Sequence, residues 1–159
     1  MAQNATLVLV KPDAIIRGLT GAVIARLETL HCELIGAKMV RVSRELAQEH
    51  YKHLREKPFY PELLDYLQGK LHGTEAVLAL VLWGPDAVER VREVAGATNP
   101  EQAEPTSIRG TLGRITTTGL MENVLHASSD PQEAEREIAL WFTPDELVRD
   151  WLRQSAKMP

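Results

Sequence analysis

The sequence predicts an α+β domain, with helices packed on one face of a small antiparallel sheet. Three observations predict it. Four short apolar runs, at 5–10, 32–43, 75–83 and around 123–126, read as strands. Segments with apolar residues at helical spacing lie between and after them, in the order β-α-β-α-α-β-α-loop-β-α, without the strict alternation of a parallel sheet. Neither a repeat nor a linker divides the 159 residues, so one domain over 1–159 is expected, with a C-terminal tail from about residue 149.

Each element has its own signal. "ATLVLV" (5–10) is a buried strand closed by "KPD", with Lys11 at its end. In 19–30, Val23, Ile24, Leu27 and Leu30 share a helical face, and Thr20 is the expected cap. In the second strand Val40 and Val42 point to one side and Arg41 to the other. Ser43 caps the helix that follows. A proline-punctuated corner then leads into a short helix with Leu63, Leu64 and Leu67 facing one side. "EAVLALVLW" (75–83) is the strongest strand. Residues 85–97 read as a helix, with Pro85 before or at its first turn and Gly96 at its end. Residues 98–119 are a long polar loop, of a length that is usually functional or disordered. Residues 131–142 form the last long helix, with Asp130 as N-cap, Pro131 at N1 and Glu133 at N3; Ala134, Ile138 and Trp141 are its buried stripe. Thr143 and Glu146 give the tail a capping-box start.

Composition narrows the function. The net charge of −4 argues against a nucleic-acid or membrane surface as the main partner. The single cysteine, Cys32, allows no intrachain disulfide and fits a reducing, cytoplasmic setting. The N-terminus reads as neither signal peptide nor transmembrane segment. His50 and His53, at i and i+3 with no third ligand in view, are expected on a solvated helix face rather than at a metal. No P-loop and no G-x-G-x-x-G fingerprint is present, so a bound nucleotide would be held by another route.

His126 is the candidate reactive group. It ends an apolar run and is followed by three small residues, Ala127, Ser128 and Ser129, and then by a helix N-terminus that attracts anions. Glu137, about two turns into that helix, can reach back to orient the ring. Read alone, the histidine is as well explained as a partly buried, hydrogen-bonded residue. Lys11 is either held toward a site or a snorkelling strand-end charge. Arg92 and Arg109, with Thr98 between them, suit phosphate oxygens or are plain surface arginines. Phe59 and Tyr60 offer a ring for base stacking or for the core.

Five stretches in order, "LVLVKPDAIIRGLTGAVIARLE", "HYKHLREKPFYPELLDYL", "GATNPEQAEPTSIRG", "NVLHAS" and "AEREIALWFTPDEL", resemble the nucleoside diphosphate kinase family to about residue 148. The resemblance implies a ferredoxin-like βαββαβ fold: a four-stranded antiparallel sheet with helices on one face, and added helices. It implies a kinase that moves the terminal phosphate of a nucleoside triphosphate (ATP and others) to a diphosphate such as GDP. The implied route is ping-pong through phosphorylated His126, with Mg2+ held mainly by the nucleotide phosphates and low base selectivity. Glu137 would hold the ring, with Ser128 and Tyr51 nearby. Lys11 and Asn123 would meet the ribose hydroxyl and phosphate end. Arg92, Thr98 and Arg109 would hold phosphates, and Phe59 would stack on the base beside Leu63. A homo-oligomer, hexamer or tetramer, is implied, with "TNPEQAEP" at subunit contacts. The alternative is a non-catalytic nucleotide-binding or interaction module of the same fold.

Two departures motivate that alternative. The family pattern His-Gly/Ala-Ser-Asp is here His126-Ala127-Ser128-Ser129-Asp130, with the aspartate replaced or displaced by one position. "GKLHG" (69–73) and "TLGRITTTGLME" (111–122) look longer than the common form. The second approaches the nucleotide, where it would alter affinity, cover the site or bulge into solvent.

Overall fold

A computed structural model describes residues 1–151; the rest of the expected tail lies outside the described residues. The sheet is built from β1 (Gln3–Val10), β2 (Glu33–Arg41), β3 (Ala76–Pro85) and β6 (Leu125–Ala127), in the spatial order β2-β3-β1-β6, with every pairing antiparallel. A two-stranded hairpin of β4 (Arg114–Ile115) and β5 (Met121–Glu122) stands apart from it. The helices are α1 (Pro12–Ile16), α2 (Thr20–Glu28), α3 (Arg44–His50), α4 (Tyr60–Leu67), α5 (Ala87–Ala95), α6 (Ile108–Leu112) and α7 (Pro131–Trp141).

Alternation along the central strands divides the core into two layers. Val8, Val10, Leu80 and Leu82 pack against Val23 and Leu27 of α2 and Val91 and Ala95 of α5. These are the two helices of the βαββαβ unit, on one face of the sheet. Leu7, Leu9, Val77, Ala79 and Val81 point the other way. That face is covered by the added helices, through Ala47 of α3, Leu64 and Leu67 of α4, and Ile138 and Trp141 of α7. The strands are therefore apolar on both sides, which is why the runs at 5–10 and 75–83 read as continuous rather than alternating.

Several expectations are corrected. Thr20 is the first residue of α2 and not its cap; Leu19 holds the cap position without a side-chain hydrogen bond. The helix read over 85–97 spans Ala87–Ala95: Pro85 lies before its first turn, as expected, but closes β3, and Asp86, in the left-handed conformation at φ 46°, stands at the N-cap of α5. The last sheet strand begins at Leu125 rather than at 123. The 98–119 stretch is ordered, with a 3-10 turn at Pro100–Gln102, then α6, then the hairpin. Ser43 and Asp130 cap as expected, accepting from the amides of Leu46 and Glu133. At the C-terminal start, Glu146 Oε2 accepts from the Thr143 amide at 2.9 Å. Among the described residues no helix is long and apolar enough to cross a membrane.

Candidate active site

The end of β1 and the short β6 lie side by side. His126 sits opposite Leu9, and the Lys11 amide donates to the Val124 carbonyl at 2.9 Å. Lys11, two extended residues beyond Leu9, therefore comes to the same face as His126, the face under α3, α4 and α7. Between them Val124 adopts φ 72°, and the Leu125 amide donates to the Asn123 carbonyl at 2.8 Å. This is a γ-turn on a β-branched residue, a strained arrangement that the surroundings must hold. Asp13 holds it. Its buried carboxylate accepts from the Val124 amide at 3.2 Å and from the Tyr66 hydroxyl.

The imidazole is fixed from behind. His126 Nε2 lies 2.9 Å from Glu137 Oε2, and Ser128 Oγ donates to the same oxygen at 2.7 Å. Ser128 Oγ also accepts from the Leu7 amide at 3.1 Å, which ties this trio to β1. With Nε2 engaged, Nδ1 is the ring nitrogen left for chemistry. Burial, followed by the charges of Lys11 and Arg109, holds the His126 pKa well below the usual histidine value, so the ring is neutral at pH 7. Burial raises Glu137, while His50 and the Ser128 hydroxyl act in the opposite sense.

The cationic side is equally organised. Lys11 is 4% exposed, its Nζ donates to Asn123 Oδ1 at 2.8 Å, and burial lowers its pKa to about 7, with Arg109 acting in the same direction. Asn123 Nδ2 donates to the Thr98 carbonyl at 3.1 Å. Arg109 donates to the carbonyls of Asn123 (3.2 Å), Gly96 (2.7 Å) and Leu125 (2.8 Å). It thus splints the loop to the γ-turn, with two of five donors and its charge still to offer. Gly96, at φ 85°, makes this approach feasible: a Cβ there would stand 2.2 Å from Ser107 Oγ. Arg92 is exposed on α5, close enough for its charge to lower both Arg109 and His126. Tyr51 is buried, its ring centroid 6.4 Å from that of His126, and burial pushes its hydroxyl pKa up.

A cavity of about 390 Å3 opens from Lys11 and Asn123, a size that suits a small-molecule ligand. Phe59, Leu63 and Tyr66 form one wall; Gly119, Leu120 and Met121 of the hairpin form the other, with Thr98 at the edge. Phe59 is 49% exposed. The ring is thus half-bare at the cavity and not part of the core.

His50 is the main correction. It is fully buried and not on a solvated face; His53 is exposed. Trp141 Nε1 donates to His50 Nδ1 at 3.1 Å, and the ring stands edge-on to His126 with centroids 4.5 Å apart. Burial and the neighbouring His126 push its pKa well down. An i, i+3 histidine pair among polar neighbours gave no sign that Trp141 would cover one member. Asp13 was also missed; its signal was the "KPD" run, which places a carboxylate in the first turn of a helix. The expected cap of α7 is present in the altered loop: Asp130 Oδ1 accepts from the Glu133 amide at 2.9 Å, and Ser129 Oγ donates to Asp130 Oδ2 at 2.8 Å.

Fold and site together define a ferredoxin-like α+β protein with a cleft that opens from a buried lysine, and with a neutral, oriented histidine under the charges of Lys11 and Arg109. Known proteins narrow this class. The family model for nucleoside diphosphate kinase matches residues 4–147. Nucleoside diphosphate kinases of Pyrococcus horikoshii and Archaeoglobus fulgidus are 46% and 44% identical, each over 92% of this chain and over 92% and 95% of their own lengths. A Halobacterium salinarum nucleoside diphosphate kinase, solved in complex with CDP, superposes with a TM-score of 0.83 at 39% identity, covering 96% of this chain and 98% of that one. A transition state mimic of the Borrelia burgdorferi enzyme, with bound vanadate and ADP, gives 0.83 at 32% identity, with 94% and 92% covered. The chain belongs to the nucleoside diphosphate kinase family, and with it to the phosphotransferases.

Proposed function

We propose that this chain moves the terminal phosphate of a nucleoside triphosphate to a nucleoside diphosphate in two half-reactions, through phosphorylated His126. The observation that carries the reading is the neutral imidazole anchored through Nε2 to Glu137 beside Lys11 and Arg109. In the first half-reaction the Nδ1 lone pair attacks the γ-phosphorus and the bond to the bridging oxygen breaks. The nucleoside diphosphate leaves with that electron pair. Positive charge growing on the ring is met by Glu137 through the Nε2 proton. In the second, a terminal oxygen of the incoming diphosphate attacks the phosphorus and the N–P bond breaks, restoring the neutral ring. Little covalent rearrangement is required of the protein, so positioning and charge carry most of the catalysis.

Lys11, Arg109 and Arg92 would hold the phosphates with Thr98. Lys11 and Asn123 would meet the ribose end, Tyr51 would support the histidine, and Phe59 and Leu63 would take the base. Apolar contact with a ring face separates the bases little, which supports low selectivity. The relatives solved with CDP and with vanadate and ADP support a nucleotide in this cleft. Magnesium prefers hard oxygen ligands, and the cavity lining offers a single carboxylate, Glu62, while the phosphates bring several oxygens, so the ion would travel mainly on the nucleotide. It would neutralise phosphate charge during transfer. Two further readings belong to this proposal. The edge strand β2, with Leu34 and Met39 exposed, supports a homo-oligomer. The lone thiol of Cys32 supports a reducing cytoplasm.

The test is intact-mass analysis after incubation with magnesium and ATP, without acceptor, at mildly alkaline pH. An acid-labile phosphoryl adduct that GDP discharges, and that His126→Ala and chelator abolish, is expected. Nucleotide binding without any adduct would refute the phosphohistidine route.

A further inference from the structure

The two stretches that depart from the common length meet in the fold. His72, from the turn after α4, has Nε2 2.9 Å from Oε1 of Glu122 in β5. Both side chains are almost wholly buried, at 4% and 6% exposure. Glu122 is also the cross-strand partner of Arg114, whose Nε donates to Oε2 at 2.5 Å, and Arg17 NH1 lies 4.0 Å from the same oxygen. Arg17 further donates to the Leu112 carbonyl at 2.8 Å, at the foot of the hairpin.

This cluster sits behind the cavity rather than in it. Neighbouring residues of a strand point to opposite sides, so as Glu122 turns back to His72, Met121 faces the cavity. Asn123, the partner of Lys11, follows directly. On the other side the His72 ring lies 5.2 Å from that of Tyr66, one turn along α4 from Leu63. The turn that delivers His72 is specified by Gly69, at φ 78°, where a Cβ would stand 1.5 Å from the Thr74 carbonyl oxygen. One buried contact thus joins the wall built on α4 to the wall built on the hairpin.

We infer that His72 and Glu122 form a strap across the back of the nucleotide cavity that sets the spacing of its two walls. They are thereby positioning residues for the base of the nucleotide. The inference rests on the reading of this cavity as the base site. A two-stranded hairpin with short strands is barely stable by itself, so its wall is only as fixed as its anchors. A contact to an ionised carboxylate inside the protein is a strong anchor, and removing one partner strands the other. The phosphates are held elsewhere, by Lys11 and the arginines. Loosening the strap should therefore weaken the base contact and spare the chemistry at His126.

The test compares ADP as acceptor with ribose 5-diphosphate, the same sugar and phosphates without a base, in the wild type, His72→Ala, His72→Gln, Glu122→Gln and Phe59→Ala. For His72→Ala we expect KM for ADP to rise about tenfold, with kcat within about twofold and KM for the base-free acceptor unchanged. His72→Gln, which keeps a donor, should recover most of the loss. Should His72→Ala fail to fold, Glu122→Gln, nearly isosteric, decides: a base-dependent rise of about threefold or more supports the strap. The strap is overturned if folded His72 and Glu122 variants move neither KM, or move both equally, while Phe59→Ala weakens ADP alone. If Phe59→Ala also treats the two acceptors alike, the base-site reading falls and the strap falls with it.

Discussion

Lys11 is where the site's charge can be switched by its ligand. Its ammonium is buried and its pKa stands at about 7, well under the ordinary lysine value. Above that pH most of the nucleotide-free protein carries a neutral amine at the place where the proposed reaction brings phosphates. Binding a phosphate beside it favours the charged form, so nucleotide and proton bind together. With a free-state pKa of 7, about a quarter of the protein is charged at pH 7.5 and about 3% at pH 8.5. Affinity for ADP should fall about eightfold across that unit, or about 1.2 kcal/mol. Over this interval the nucleotide phosphate is already ionised. His126 is neutral throughout, and Arg109, lowered only to about 10, stays charged. Calorimetric titrations in two buffers of different ionisation enthalpy measure both quantities, and uptake should approach one proton per nucleotide at pH 8.5. Folding responds with the opposite sign. The unfolded lysine keeps its proton up to about pH 10 and the native one does not, so the nucleotide-free protein gains stability as pH rises from 7. Flat affinity, no proton uptake, or the same slope in Lys11→Met would refute the reasoning.

Two further outcomes follow from the geometry. Glu137→Gln removes the charge that faces the His126 Nε2 proton and accepts from Ser128; the rate of phosphoryl transfer at saturating ATP should fall about 10- to 100-fold, with nucleotide affinity nearly unchanged, in a rapid-quench single turnover. Asp130→Ala should cost about 1 kcal/mol by removing the cap of α7, whereas Ser129→Ala, on an exposed side chain hydrogen-bonded to Asp130, should stay within about 0.5 kcal/mol in chemical denaturation.

Much of this arrangement could be read from the residues, and the failures have physical causes. Strands announced by long apolar runs appeared where expected, because both faces of the sheet are covered. The short β6 was misplaced because residues 123 and 124 are consumed by a γ-turn whose support, Asp13, is 111 residues away from Val124 in sequence. The pair His126 and Glu137 was legible because a capping pattern fixes where α7 starts, and hence how far its residues reach. His50 was not, since its burial depends on Trp141 from another helix. The hairpin was invisible for the same reason: strands of two residues have no periodicity, and their anchor, His72, is 50 residues upstream.

Burial does two things at once in this cleft, and the same low dielectric explains both. It keeps His126 neutral, as the proposed nucleophile must be, and the nearby charges of Lys11 and Arg109 act in the same direction. It also leaves Lys11 only partly charged near neutral pH, so the empty site avoids part of the cost of burying uncompensated ammonium. Asn123 suits either state of the amine, because its side-chain oxygen accepts a hydrogen bond from NH2 or NH3+. An aspartate in that position would pin the lysine charged and offer phosphates a neutralised pair. The amide therefore keeps the positive charge available for the nucleotide, and the γ-turn strain at Val124 is what brings that amide, the lysine and the histidine to one edge of the sheet.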